Sequence, residues 1–240
     1  MIDIHCHVLP FVDYDGPRTL DDSVGMLECA GREGIYVIVA TPHVVTADLP
    51  AKTEEIKDAL LLLRETARSR GMAIELRLGA ETYVGPDLYE FVKANPALSE
   101  ETGRSVLVEL PMHDIPPYAQ PQLVALAAEG VTAVLAHPER NFRVVKDPAV
   151  LQPLARAGVL FQVNSGSLLG DFGKEVRKTA NSLVAAGLCH FVASDAHNSG
   201  SRGFSNRDAR AAVEKIVGEA GAKTIFEDNP GKLLGKTHWG

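Results

Sequence analysis

Seven short apolar runs punctuate the chain: MIDIH, YVIVATPH, IELRLGAE, SVLVEL, VTAVLAH, VLFQVN and CHFVASDAH. Each is short and apolar enough to read as a buried strand. Helix-length segments lie between them. Thr19 can cap a helix over 20–33, where Asp21 and Asp22 suit the positive end, Leu20, Val24, Leu27 and Gly31 trace the inner stripe, and Gly34 stops the turn. Ile56, Leu60, Leu63 and Ala67 mark one side of a second helix over 53–70. Shorter helices are predicted over 86–94, 120–129, 148–157, 174–186 and 206–219. The tail NPGKLLG predicts a last short one, with Asn229 as cap and Pro230 in its first turn. Strand and helix alternate, which predicts a parallel sheet or barrel.

Composition narrows the class. The 240 residues are 45% hydrophobic and 23% charged, enough for one core, so a single domain over 1–240 is expected. No apolar run approaches the roughly 18 residues of a membrane span, and the first strand begins at Ile2, so a cytoplasmic protein without membrane insertion is expected. Cys6, Cys29 and Cys189 form no C-x-x-C pair and fit reduced structural thiols. The net charge of −7 argues against a nucleic-acid partner.

Almost every strand ends on a metal-ligating side chain. These are His5 and His7, His43, Glu81, Glu109, His137, and Asp195 with His197. In a barrel the C-terminal strand ends share one face, so these groups would converge. His5 and His7, two apart on a strand, face one way while Cys6 faces the other. A lone strand-end histidine is more often structural, but six such strand ends have no structural reason to coincide. Imidazole and carboxylate without thiolate favour manganese, zinc or iron over a tetrathiolate zinc. Eight or nine ligands would serve roughly three ions. With Asp15 included, four carboxylates against three dications leave about two surplus positive charges, an invitation to phosphate. Arg140 and Arg202 follow ligands on the rim loops, where guanidinium groups can clamp phosphate oxygens.

MIDIHCHVLP, DDSVGMLECAGREGI, ATPH, GAE, LVELP, AHPERN, QVNSGSLLGDFG, HFVASDAHN and DNP together resemble the polymerase and histidinol phosphatase (PHP) superfamily. Within it the chain resembles the bacterial manganese-dependent tyrosine phosphatases of capsule and exopolysaccharide synthesis. The resemblance implies a distorted seven-stranded (β/α)7 TIM-like barrel of PHP type. It further implies three divalent ions, manganese first with zinc, iron or magnesium as alternatives, and hydrolysis of phosphotyrosine on a tyrosine kinase tail. Carried over, His5, His7, Glu81 and Asp195 would hold the first ion, Glu81, Glu109 and His137 the second. The third would fall to His43, His197 and a first-loop aspartate. There VDYDGP departs from the family's paired aspartates by inserting Tyr14; Asp15 is the expected ligand, with Asp13 the alternate. Val44 stands where a second histidine often follows TPH, a departure expected to remove no necessary ligand.

A cysteine phosphatase is disfavoured because none of the thiols has an arginine six positions later; Val12, Ile35 and Asp195 occupy those places. Metal-activated hydroxide attack is the expected chemistry instead. Three rivals remain: a small-molecule phosphomonoesterase such as histidinol phosphatase, a metal-dependent amidohydrolase, and a catalytically dead phosphotyrosine-binding scaffold. The amidohydrolase reading lacks a strand-end lysine for carboxylation. His113 reads as a loop residue, His190 as a core hydrogen-bonding residue, and His238 and Trp239 as a frayed tail; Tyr83, Ser165 and Ser167 can line the mouth or form turns.

Overall fold

The structure, a computed structural model, describes residues 1–44 and 49–235; the tail with His238 and Trp239 lies outside the described residues. Parallel strands alternate with helices. In chain order the strands are β1 (Ile2–Cys6), β2 (Val37–Ala40), β3 (His43–Val44), β4 (Glu75–Leu78), β5 (Glu81–Tyr83), β6 (Ser105–Glu109), β7 (Thr132–Ala136), β8 (Leu160–Asn164) and β9 (Phe191–Ala193). They pair as a three-stranded sheet, β1-β2-β4, and a six-stranded sheet, β3-β5-β6-β7-β8-β9. One isolated parallel bridge, Cys6 to Ala196, links the first strand to the segment after the last.

This differs from a single seven-stranded closed barrel. Two of the expected strands are each split. Thr41–Pro42 separates β2 from β3, and Gly79–Ala80 separates β4 from β5. Pro42 has no N–H to give to a ladder. Gly79 leaves no room for a side chain, since a Cβ there would meet Val39 Cγ1 at 2.8 Å. The chain nevertheless keeps its direction through both breaks, with Gly79 N donating to Ala40 O at 2.9 Å and Glu81 N to Pro42 O at 3.0 Å.

Side-chain parity divides the core in two. Ile38, Ala40, Val106, Val108, Leu135, Phe161 and Val163 face the helices and pack against residues such as Leu27, Ile56 and Leu63. Val37, Val39, Leu107, Val134, Phe191 and Ala193 face inward with Ile2, Ile4, Leu233 and Leu234. The inward parity therefore runs on from Val39 to Thr41 and His43, from Leu107 to Glu109, and from Ala193 to Asp195.

The helix over Leu20–Arg32 starts on the expected cap, with a capping box between Thr19 and Asp22. Other boundaries move. The second helix spans Leu49–Ser69, and the segment after 206 is helical over Asn206–Lys223 with Gly218 at φ +76° inside it. Short helices at Phe142–Lys146 and Ser165–Leu169 were not expected from the periodicity. Too short for a stripe, they are held by tertiary contacts and by caps such as Asn141, whose side chain accepts from Arg143 N and Val144 N. Asp228, rather than Asn229, precedes the final helix, Asn229–Leu233. Among the described residues no helix is long and apolar enough to cross a membrane.

Candidate metal centre

The strand ends carry their polar side chains to one place. His5 lies on β1 and His7 one residue past its end, and the pairing of β1 to β2 shifts register between Asp3 and Cys6. That bulge places Ile2 and Ile4 inside with His5 and His7, while Cys6 turns to the helix-facing core. His137 reaches the mouth by a different device. Parity would send it outward with Leu135, but its backbone is left-handed at φ +30°, ψ +52°, and its side chain meets Glu81. Asp195 also has a positive φ, +53°. Such conformations cost about 1–3 kcal/mol each in a residue with a Cβ and gather at functional sites.

Glu81 sits at the centre. Its Oε2 lies 3.3 Å from His5 Nε2, 3.3 Å from His7 Nε2 and 3.1 Å from His43 Nδ1, and its Oε1 lies 3.0 Å from His137 Nε2. Asp195 Oδ1 stands 3.5 Å from His5 Nε2, His7 Nε2 and His197 Nδ1. Glu109 is more peripheral, its Oε1 3.8 Å from His137 Nε2. Asp15 sits between His197 Nε2 at 3.3 Å and His43 Nε2 at 3.9 Å. All nine sequence-predicted ligands thus lie in one connected cluster. Four overlapping donor sets are compact enough for an ion: His7, His43 and His197; His5, His7 and Glu81; His5, His137 and Asp195; His43, Glu81 and Glu109.

Two observations show that these residues fit divalent cations. The His5 and His7 Nε2 atoms face each other at 3.2 Å, an arrangement in which two imidazole lone pairs share one target. Glu81 Oε2, on a side chain 1% exposed, and Asp15 Oδ1 are buried without a hydrogen-bond partner. The electrostatics agree. Burial alone would lower the His5 pKa, but Glu81 and Asp195 outweigh it and raise it to about 9. Burial likewise opposes ionisation of Glu81, yet His5, His137 and His43 hold its carboxyl well below the usual range. The pocket demands positive charge. Glu109 is pushed up, first by burial and then by Glu81. His197 falls to about 3 through burial and the neighbouring His7, so its imidazole is neutral and available as a ligand.

Several residues that sequence reasoning did not single out orient this set. Gln162 Oε1 accepts from the His137 backbone N–H at 3.3 Å and lies 2.9 Å from His5 Nδ1. An oxygen there can only accept, so Nδ1 carries a proton and Nε2 faces the cluster. Gln162 Nε2 donates to Asn164 Oδ1 at 2.8 Å, and Asn164 Nδ2 to Asp195 Oδ2 at 2.7 Å. The signal in the sequence was the polar alternation of VLFQVN, which puts Gln162 and Asn164 on the inner face. Asp13, the alternate ligand, has both oxygens engaged. Its Oδ2 lies 3.1 Å from His7 Nδ1 and its Oδ1 accepts from His43 N at 2.9 Å.

The two arginines stand at the edge. Arg140 Nη1 donates to Asp195 Oδ2 at 2.8 Å, and its guanidinium lies 4.3 Å over the Phe172 ring. Arg202 Nη1 donates to Asp15 Oδ2 at 2.8 Å, and its Nη2 lies 2.8 Å from His197 Nε2. Cys6 and Cys189 are buried, and burial pushes both thiols upward, which leaves neither as a ready thiolate. Among the other residues, His190 Nδ1 accepts from Phe161 N at 3.0 Å in the core, and Tyr83 lines the mouth beside Glu81. Ser165 and Ser167 lie buried in the short helix after β8.

The profile of the family described as capsular polysaccharide synthesis, CpsB/CapC, matches residues 1–235. Tyrosine-protein phosphatase YwqE of Bacillus subtilis (strain 168) is 35% identical over 218 residues, 91% of this chain and 85% of the relative. Putative tyrosine-protein phosphatase CapC of Staphylococcus aureus is 34% identical over 222 residues, 90% of this chain and 87% of the relative. A solved structure reported for YwqE from Bacillus subtilis and CpsB from Streptococcus pneumoniae as unique metal-dependent tyrosine phosphatases matches with a TM-score of 0.91. The identity is 34%, over 99% of this chain and 95% of that one.

Proposed function

The chain belongs to the capsular polysaccharide synthesis CpsB/CapC family, and on that premise we propose that it is a metal-dependent tyrosine phosphatase of PHP type. Its substrate in this reading is phosphotyrosine on a polypeptide, with the tail of a bacterial tyrosine kinase in the cytoplasm as the partner, and the chain works as one domain. The carrying observation is the convergence of nine imidazole and carboxylate groups on one mouth with two guanidinium groups at its edge.

Three divalent ions, manganese first, fit the ligand count. His5, His7, Glu81 and Asp195 would hold one, Glu81, Glu109 and His137 another, and His43, His197 and Asp15 the third. The unpartnered Asp15 Oδ1, against the fully engaged Asp13, supports Asp15 as the first-loop ligand. Bound cations there would supply Lewis acidity and an activated water for attack at phosphorus. The chain's own residues do the rest. Asp13 and Gln162 hold the His7 and His5 rings, and Asn164 holds Asp195. Arg140 and Arg202 bind non-bridging phosphoryl oxygens as charge develops on them. No buried thiol competes as nucleophile.

A chelator should therefore abolish turnover of a phosphotyrosyl peptide and added manganese should restore it, while iodoacetamide leaves most of the activity. Chelator-resistant, alkylation-sensitive turnover would sink the metal reading. Turnover of histidinol phosphate with none of the peptide would move the assignment to a small-molecule phosphatase.

A further inference from the structure

Two cavities of about 230 Å³ flank the ligand cluster, and their chemistries differ. One is lined by Tyr14, His43, Val44, Glu81, Tyr83 and Glu109, so it shares three candidate ligands with the cluster. The other includes Asp171, Phe172, Asp195 and Arg202, with serines and glycines between. Its single aromatic ring, Phe172, already has Arg140 over its face. Both guanidinium groups therefore belong to the second side, and open aromatic surface belongs to the first.

We propose that the cavity between Tyr14 and Tyr83 receives the ring of the phosphotyrosyl side chain, so that these two residues select aryl over alkyl phosphate esters. The inference rests on the phosphotyrosine reading above and names the residues that give it specificity. Tyr83 lies two positions after Glu81 on β5, so both side chains share the inward face, and Tyr83 pairs in register with Glu109. Tyr14 is 76% exposed, and its ring lies nearly parallel to that of His43, 6.3 Å away. That exposed ring gains cover only when an apolar group enters the cavity. A phosphate seated on the cluster then presents its ester oxygen to the tyrosine side and its non-bridging oxygens to Arg140 and Arg202.

The test compares binding of phenylphosphonate and methylphosphonate to the metal-loaded protein by calorimetry, with metal content checked by elemental analysis. The wild type should favour phenylphosphonate. In Tyr14→Ala/Tyr83→Ala that preference should fall about tenfold, the worth of one to two aromatic contacts. Tyr14→Phe/Tyr83→Phe should keep it. Tyr14→Ala alone, on an exposed side chain, should lose part of it without risk to folding. An unchanged preference in the double alanine variant overturns the inference. Absence of phosphotyrosyl-peptide turnover by the wild type overturns the activity reading instead, and the phosphonate comparison still judges the cavity.

Discussion

At the scale of the residue, orientation matters as much as identity. Five histidines and four carboxylates gather at the mouth, and Gln162 and Asn164 orient His5 and Asp195 among them. Replacing Gln162 with Leu leaves His5 free to rotate and removes the support of Asn164. Divalent-metal affinity should fall about 10- to 100-fold, the usual cost of losing such a partner, as a calorimetric titration would show. These residues were not named from sequence because a buried amide carries no chemistry until its neighbours are known. His190 makes the opposite case. Its core role was legible, and the structure supplies the partner, the Phe161 N–H donating to Nδ1. Partial burial lowers its pKa below the ordinary 6.5, since protonation would both charge a half-buried ring and break that bond. The folded state therefore binds this proton less readily than the unfolded chain. Its stability contribution is present above pH 6.5 and is lost as the pH falls through the lowered folded-state value. His190→Gln should show a smaller drop in Tm between pH 7.5 and pH 5 than the wild type, about the protonation of one group.

At the scale of the element, inward and outward alternation does most of the positioning. It carries His43, Glu81 and Glu109 to the mouth without further device, and Asp195 with a positive φ besides, which is why those positions were readable from strand endings. It fails at two places, and at both the backbone intervenes. The β1 bulge lets Ile4 and His5 share the interior, and the left-handed turn at His137 brings that ring back from the outward side. Neither event has a local sequence cue, since no glycine or proline stands at either residue. The split between β4 and β5 did have one, Gly79. Its space is taken by Val39, with Thr41 Cγ2 at 3.3 Å and Thr102 Cγ2 at 3.4 Å from a hypothetical Cβ. Gly79→Ala should cost about 1–3 kcal/mol by overpacking, read by urea denaturation. A value near zero would mean that the two sheets can separate there without penalty.

At the scale of the whole molecule, the interior is shared between two tasks. Near the strand beginnings it is apolar, with Ile2, Val37 and Phe191 packed together with Leu233 and Leu234 from the last helix and the turn behind it. Near the strand endings it is polar and charged. The apolar end supplies stability, and the polar end requires it, because a cluster of buried carboxylates is costly until cations or protons fill it. Leu233→Ala should lower unfolding free energy by about 2–5 kcal/mol while metal content at 25 °C stays at the wild-type level. Loss of metal together with stability would show that the two ends are not separable. The sequence by itself determined the alternation of strand and helix, the apolar faces, and which imidazole and carboxylate groups stand at the strand endings, because periodicity and residue type are local properties. Only the tertiary structure decided the division into two sheets, the inward turn of His137, the engagement of both Asp13 oxygens against the unpartnered Asp15 Oδ1, and the pairing of each guanidinium with a carboxylate. Those depend on distances between segments far apart in the chain, 187 positions for Arg202 and Asp15, and no local pattern encodes them.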